Sequence, residues 1–150
     1  MLTEIKKKHS FLSQGPINPQ LITDSIVKHS SKKNIGAHEI FLGQVRADVV
    51  NGKNICAIDY SAYAEMAEIE IEKIRENIIV KHQLTCAHVK HSLGKIAAGE
   101  ICFFVFVSSP HRQAAFDACY EMVDLIKKDV PIFGKEIFED ASYQWKENKI

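Results

Sequence analysis

The sequence predicts an α+β fold built around a strand covered on both faces. Three observations carry this expectation. Residues 101–107, ICFFVFV, form a continuous apolar run of strand length, the pattern of a strand with no solvent face. The stretches 65–82 and 110–128 repeat apolar residues at helical spacing between charges. Strand-like and helical stretches do not alternate strictly, which argues against a doubly wound parallel sheet. A chain of 150 residues has the size of one domain. It is read as a single domain over 1–150, in which 1–34, an arm and a helix, is the most weakly patterned part.

The elements are read in chain order. The first 15 residues form a loose arm or an edge strand. Asn18-Pro19 opens a helix to His29, with Leu21, Ile22, Ile26 and Val27 on one face. Residues 30–34, SSKKN, are a loop. Residues 35–46, IGAHEIFLGQVR, read as a strand whose interior Gly43 marks a bulge or a close backbone approach. Asn51-Gly52 is a turn signal and 55–63 alternates as the next strand, so a hairpin is expected. The helix over 65–82 turns Met66, Ile69, Ile74 and Ile78 inward. Residues 84–92 form a strand with either His88 and Lys90 or their neighbours alternating outward, and Gly94 and Gly99 bracket a turn. After the apolar strand, Ser109 suits an N-cap and Pro110 a first helical residue. Pro131 stops that helix, and 131–145 is a loop with one or two short strands.

Composition narrows the function. Lysine plus arginine equals aspartate plus glutamate, 19 against 19, so binding to nucleic acid through overall positive charge is not expected. No window reaches the roughly 18 apolar residues of a membrane span, and MLTEIKKKHSFLSQG lacks the apolar run of a secretory signal. The expected location is the cytoplasm, where Cys56, Cys86, Cys102 and Cys119 stay reduced. Their spacing contains no CxxC pair. His82, His88 and His91 do not share one face, so no metal site is expected.

Three segments could carry chemistry. At 107–112, VSSPHR, a buried strand runs into a helix N-terminus, whose free N–H groups and dipole attract anions. His111 and Arg112 stand there against the dipole, a local conflict of the kind that marks function, and Arg112 can grip two oxygens at once. At 127–136, KKDVPIFGKE, the Pro131 turn could fold Lys127 and Lys135 toward one cavity, where a desolvated lysine serves as acid, base or nucleophile. Arg46 ends an apolar strand just after Gly43.

Together, FLGQVR at 41–46, DYSAYAEMAE at 59–68, SSPHRQAAFDA at 108–118 and IKKDVPIFGKEIFED at 126–140 resemble the large, catalytic subunit family of molybdopterin synthase over residues 35–145. The resemblance implies an α/β hammerhead-type fold with additional antiparallel strands. It implies transfer of two sulfurs to cyclic pyranopterin monophosphate from the thiocarboxylated C-terminus of a small ubiquitin-like subunit, with no cofactor and no metal. The implied assembly is a heterotetramer around a central homodimer of large subunits. By position, the implied substrate contacts are Gln44, Val45, Arg46, His111, Arg112, Gly134 and Glu136, and the implied catalytic lysines are Lys127 and Lys135. One departure stands out: the family carries a lysine where this chain has Gly134. Either Lys135 takes over its role, or the chain binds the small-subunit tail with impaired chemistry.

Overall fold

The computed structural model describes residues 10–147. The elements are β1 (Leu12–Gln14), α1 (Gln20–His29), β2 (Ala37–Gln44), β3 (Val49–Val50), β4 (Lys53–Ala62), α2 (Ala64–His82), β5 (Cys86–Ala97), β6 (Ile101–Ser109), α3 (Arg112–Asp129), β7 (Ile132–Phe138) and β8 (Tyr143–Trp145). The strands form one sheet in the order β2-β6-β5-β4-β7-β8, with β1 beside β5 and β3 beside β4. Only the β1–β5 pairing is parallel. The architecture is α+β, as the sequence predicts. No helix among the described residues is long and apolar enough to cross a membrane.

Strand β6 is the spine. Every residue from Cys102 to Ser109 is buried. Because side chains alternate across a strand, Phe103, Val105 and Val107 face the layer of α2 and α3. Phe104 and Phe106 face the other way, against Ile17, Leu21 and Ile22 under α1. Strand β5 serves two neighbours. Its residues 86–91 pair with β6 and its residues 94–97 pair with β4. The bend between them falls at Gly94, with φ +86°, where a side chain would meet Gln14 Oε1 at 3.0 Å. The arm is tied down by Glu68, whose carboxylate accepts the Phe11 N–H at 2.9 Å and the Leu12 N–H at 3.0 Å.

Several expectations shift. Asn51-Gly52 does form a tight two-residue turn, both residues at positive φ, but it joins β4 to the two-residue β3, while β2 pairs with β6. Gly43 combines both predicted roles: the register slips between Gly43 and Gln44, and an added Cβ would stand 3.0 Å from Phe103 Cβ. Helix α3 begins two residues later than predicted. Ser109 ends β6, and its Oγ accepts the His111 N–H at 3.3 Å while His111 occupies the N-cap position. Gly94 lies inside β5 rather than in a turn, and 132–138 is a full strand paired along β4.

The helix faces also rotate. Helix α2 buries Ala67, Ile71, Ile74 and Ile78, whereas Met66 and Ile69 are 58% and 53% exposed. Small Ala67 lets the helix approach the sheet, and that choice of face turns bulkier Met66 outward. In α1, Ile26 and Val27 are exposed and His29 is buried instead. Helices α2 and α3 are joined at their surface by Glu121, which accepts hydrogen bonds from Lys81 Nζ and His82 Nε2, each at 2.7 Å.

This packing makes the two α2 positions energetically opposite. Ile71→Ala is expected to cost about 2–4 kcal/mol in urea unfolding, and Met66→Ala less than about 0.5 kcal/mol. The reverse ranking would return the helix to the face drawn from its large residues.

Candidate functional site

A cavity of about 360 Å³ opens where α3 ends. Its floor is the sheet: Gly43 and Gln44 from β2, Tyr60 from β4, His91 from β5, and Cys102 and Phe103 from β6. Its walls are the end of α3, with Ile126, Lys127 and Lys128, and the returning strands, with Phe133, Gly134, Trp145 and Lys146. Among the described residues, three lysines and no carboxylate line it. Such a concavity concentrates anions.

The chain builds this site by stopping a helix. Pro131 cannot continue α3, and Val130 turns extended. Strand β7 then runs antiparallel to β4, which sets Gly134 opposite Tyr60. Strand β8 returns along β7, and the Lys146 N–H donates to the Gly134 carbonyl at 2.8 Å. Gly134 is buried, and a Cβ there would stand 3.0 Å from Ile58 Cγ2, 3.3 Å from Tyr60 Cε1 and 3.5 Å from Lys146 Cβ. A side chain at 134 would crowd the wall that Lys146 now forms.

The polar groups of the floor are locked. Tyr60 Oη donates to Cys102 Sγ at 3.5 Å, and the Cys102 thiol donates to the Gly43 carbonyl at 3.4 Å. Burial, with Cys102 beside it, holds the Tyr60 phenol well above its ordinary pKa, so it stays protonated. His91 donates from Nδ1 to the Ser92 carbonyl at 2.8 Å. Burial pushes its pKa down to about 4, with Lys127 and Lys146 adding repulsion, although the Ser92 bond opposes the shift. The ring is therefore neutral at pH 7. Lys127 Nζ stands 5.7 Å from the centre of the Phe103 ring. Withdrawal from water and the charge of Lys146 lower its pKa, with Cys102 opposing.

The comparisons with known proteins fit this fold. The model of the MoaE protein family matches residues 12–129. The chain belongs to the MoaE protein family. It is 37% identical to a molybdopterin synthase catalytic subunit from Bacillus subtilis, over 89% of this chain and 82% of that protein. It is 35% identical to one from Taeniopygia guttata, over 97% of this chain and 87% of that protein. Among solved structures, molybdopterin synthase from Staphylococcus aureus superposes with a TM-score of 0.80 at 31% identity, covering 91% of this chain and 96% of that one. A complex of subunits 1 and 2 of molybdopterin-converting factor from Helicobacter pylori shares the fold, with a TM-score of 0.77 at 19% identity over 92% and 90% of the two chains.

Against this MoaE fold the predicted residues separate into groups. Lys127, Gln44 and Gly134 line the cavity. Val45 is buried in the core beside it. Arg46 is exposed and paired with Asp48 at 2.9 Å. Glu136 is half-buried and accepts from Gln144 Nε2 at 3.2 Å. Lys135 points away from the Gly134 side of its strand, and its Nζ lies 4.4 Å and 5.2 Å from the ring centres of Tyr143 and Trp145. His111 and Arg112 are exposed at the start of α3, about 22 Å along the helix from Lys127 at 1.5 Å per residue. Sequence reading missed Lys146, Tyr60, His91, Cys102 and Lys128. Lys146 lies beyond the last matching motif, and only the β7–β8 pairing reveals it.

The neutral His91 has a measurable consequence. Its folded pKa lies below the unfolded value of about 6.5, so below that pH the unfolded chain takes up a proton that the folded chain refuses. Stability supplied by neutral His91 is complete above pH 6.5 and falls away as pH drops toward 4, by roughly 3 kcal/mol in all. Urea unfolding at pH 7 and pH 4.5 should show a smaller loss in His91→Gln than in the parent. Equal losses would mean that His91 is protonated in the fold.

Proposed function

We propose that this chain is the catalytic subunit of a molybdopterin synthase, moving sulfur from the thiocarboxylated tail of a small ubiquitin-like subunit to cyclic pyranopterin monophosphate. The observation that carries this reading is the cavity lined by Lys127, Lys128 and Lys146 in a chain of the MoaE family. Both reactants are anions, a thiocarboxylate and a cyclic phosphate, and ammonium groups gathered in one concavity hold such charges. The sulfur arrives with the partner, so the chain itself needs no cofactor.

The roles follow from position. Lys127, with its ammonium weakened by withdrawal from water, is suited to polarise the thiocarboxylate and to pass protons as sulfur leaves the tail. Lys146 supplies the second cation. It stands across the β7–β8 pair from Gly134, where the resemblance calls for a lysine, and so answers that departure better than Lys135, which is held over two aromatic rings. Neutral His91 and Tyr60 form a polar floor. The reading of a chain that binds but does not react has no observation in its favour, because the cavity keeps its second ammonium group.

One copy cannot bring all the named groups to one substrate, since Arg112 and Lys127 cap opposite ends of α3. We therefore assign His111 and Arg112 to the cavity of a second copy. Along α3, Arg112, Phe116 and Tyr120 follow at steps of four, and the two aromatic side chains are 54% and 74% exposed, a surface suited to such a contact. The named complex of two subunits from Helicobacter pylori supports a small-subunit partner here, and together with the second copy assigned above the proposed assembly is a heterotetramer around a homodimer. A cytoplasmic setting fits the four free cysteines.

Single-turnover assay with the thiocarboxylated small subunit and cyclic pyranopterin monophosphate tests the reading. Lys127→Ala should lower the rate by about a hundredfold, Lys146→Ala by at least about tenfold, and Lys135→Ala by less than about twofold. A silent Lys146→Ala with a dead Lys135→Ala would return the second role to Lys135. Full turnover in Lys127→Ala would overturn the site.

A further inference from the structure

On the face of the sheet opposite the cavity, five chemistry-bearing side chains gather around Phe106. The ladder sets His38, Ser108 and Cys86 side by side on β2, β6 and β5, with His88 one step further along β5 beside Phe106. Helix α1 ends directly over them and buries its last residue, His29. The reactive atoms of His29, Cys86 and His88 all lie within 4.8 Å of one another.

We propose that His29, Cys86 and His88 form a site for a thiophilic divalent cation of the zinc class, with water as a fourth ligand, pinning α1 to the sheet. The donor set is the first argument. Two imidazoles and one thiol are what such an ion selects, and three protein ligands with an open fourth position are an established zinc arrangement. Spacing is the second. Tetrahedral zinc holds nitrogen ligands about 3.3 Å apart and a nitrogen and a sulfur about 3.6 Å apart, by the usual bond lengths. The His29 and His88 Nε2 atoms are 3.0 Å apart, so small rotations of the rings and of the Cys86 side chain complete the tetrahedron.

Orientation is the third argument. His29 Nδ1 lies 2.6 Å from the Ser25 carbonyl oxygen. A carbonyl only accepts, so Nδ1 carries the proton and Nε2 of the neutral ring presents its lone pair to the centre of the cluster. A backbone carbonyl in this role is the usual means by which proteins orient a metal-binding histidine. Two Nε2 atoms at 3.0 Å are then joined either by a proton on His88 or by a cation between them. His29 and Cys86 are each 7% exposed, while His88 is half-buried, which leaves a way in on the His88 side. Binding would release the Cys86 proton as the thiolate joins the ion. The site is remote from the lysine cavity, because Cys86 and His88 point to the face of β5 opposite His91, and it stands independently of the function proposed above.

Sequence spacing could not display this cluster. Cys86-x-His88 alone is no zinc pattern, and His29 comes from 59 residues earlier in the chain.

The test uses the full chain, stripped with chelator and titrated with Co²⁺. One equivalent should bind with a thiolate-to-cobalt charge-transfer band, and added Zn²⁺ should erase it. Cys86→Ser should lose the band, His29→Ala and His88→Ala should weaken binding at least about tenfold, and His38→Ala should leave it within about twofold. Zn²⁺ at about a hundredfold over its Kd should raise the Tm of the parent by roughly 5–10 °C and leave Cys86→Ser unmoved. A folded parent chain with neither the band nor the Tm shift would overturn the proposal and leave a plain histidine–histidine hydrogen bond. A band that survives in Cys86→Ser would overturn it as well, by assigning the ion to another cysteine. The parent spectrum and Tm decide the matter even if a variant fails to fold.

Discussion

Strand β6 has no solvent face from Cys102 to Ser109, and a strand in that position must be covered twice. Its odd residues fix where α2 and α3 lie, and its even residues require a second, smaller layer, which α1 and Ile17 supply. The arm before α1 is held accordingly: the Ile17 N–H donates to the Ile101 carbonyl at 2.9 Å, and Glu68 of α2 takes the N–H groups of Phe11 and Leu12. A segment with little pattern of its own is thus ordered by a demand that arises far along the chain. The parity of one strand also separates the two polar clusters, with the lysine cavity on the α3 face and the histidine cluster under α1.

The cavity is a by-product of the way the main layer closes. Helix α3 runs across the sheet and stops at Val130 above the bulge that Gly43 creates in β2. Beyond that stop, Tyr60, His91 and Cys102 share the cavity with the side chains of Phe133, Trp145 and Lys146. Buried floor groups of this kind are costly unless they are hydrogen-bonded. Here Tyr60, Cys102 and Gly43 satisfy one another in sequence, and His91 uses the Ser92 carbonyl. The floor stays polar without requiring a charge, and among the described residues the charged side chains lining the cavity are lysines. Cys119, by contrast, is buried under α3 with its pKa pushed up to about 12, by burial first and Glu39 second. That thiol is inert packing.

How much of this the sequence discloses depends on whether the signal is local. The double burial of 101–107 was legible because it is written in consecutive residues, and the stop of α3 was legible in Pro131. Lys127 was legible because the helix and its stop place it. The true face of α2 was hidden because Ala67 contributes little hydrophobicity yet governs how closely the helix packs, so large Met66 and Ile69 pointed to the wrong side. The seven-residue β7 was read as loop because 132–138 contains Gly134 and charged residues. Its strand character comes from pairing with β4, a tertiary fact. Lys146 and His29 were hidden for the same reason, since each reaches its cluster through a contact with residues distant in the chain.

Gly134 ties these points together. In a strand interior, glycine forfeits packing and adds unfolded-state entropy, so its presence calls for a reason on the spot. That reason is the crowding by Ile58, Tyr60 and the stem of Lys146. The chain keeps the space beside Tyr60 open by omitting a side chain on β7, and then fills the adjoining wall with a lysine from the strand that returns along it. Withdrawal from water first, and the charge of Lys146 second, lower the pKa of Lys127. The lysine of the returning strand thus acts on Lys127 in the same sense as burial does, so glycine at 134 and lysine at 146 together set the shape and the charge of this wall.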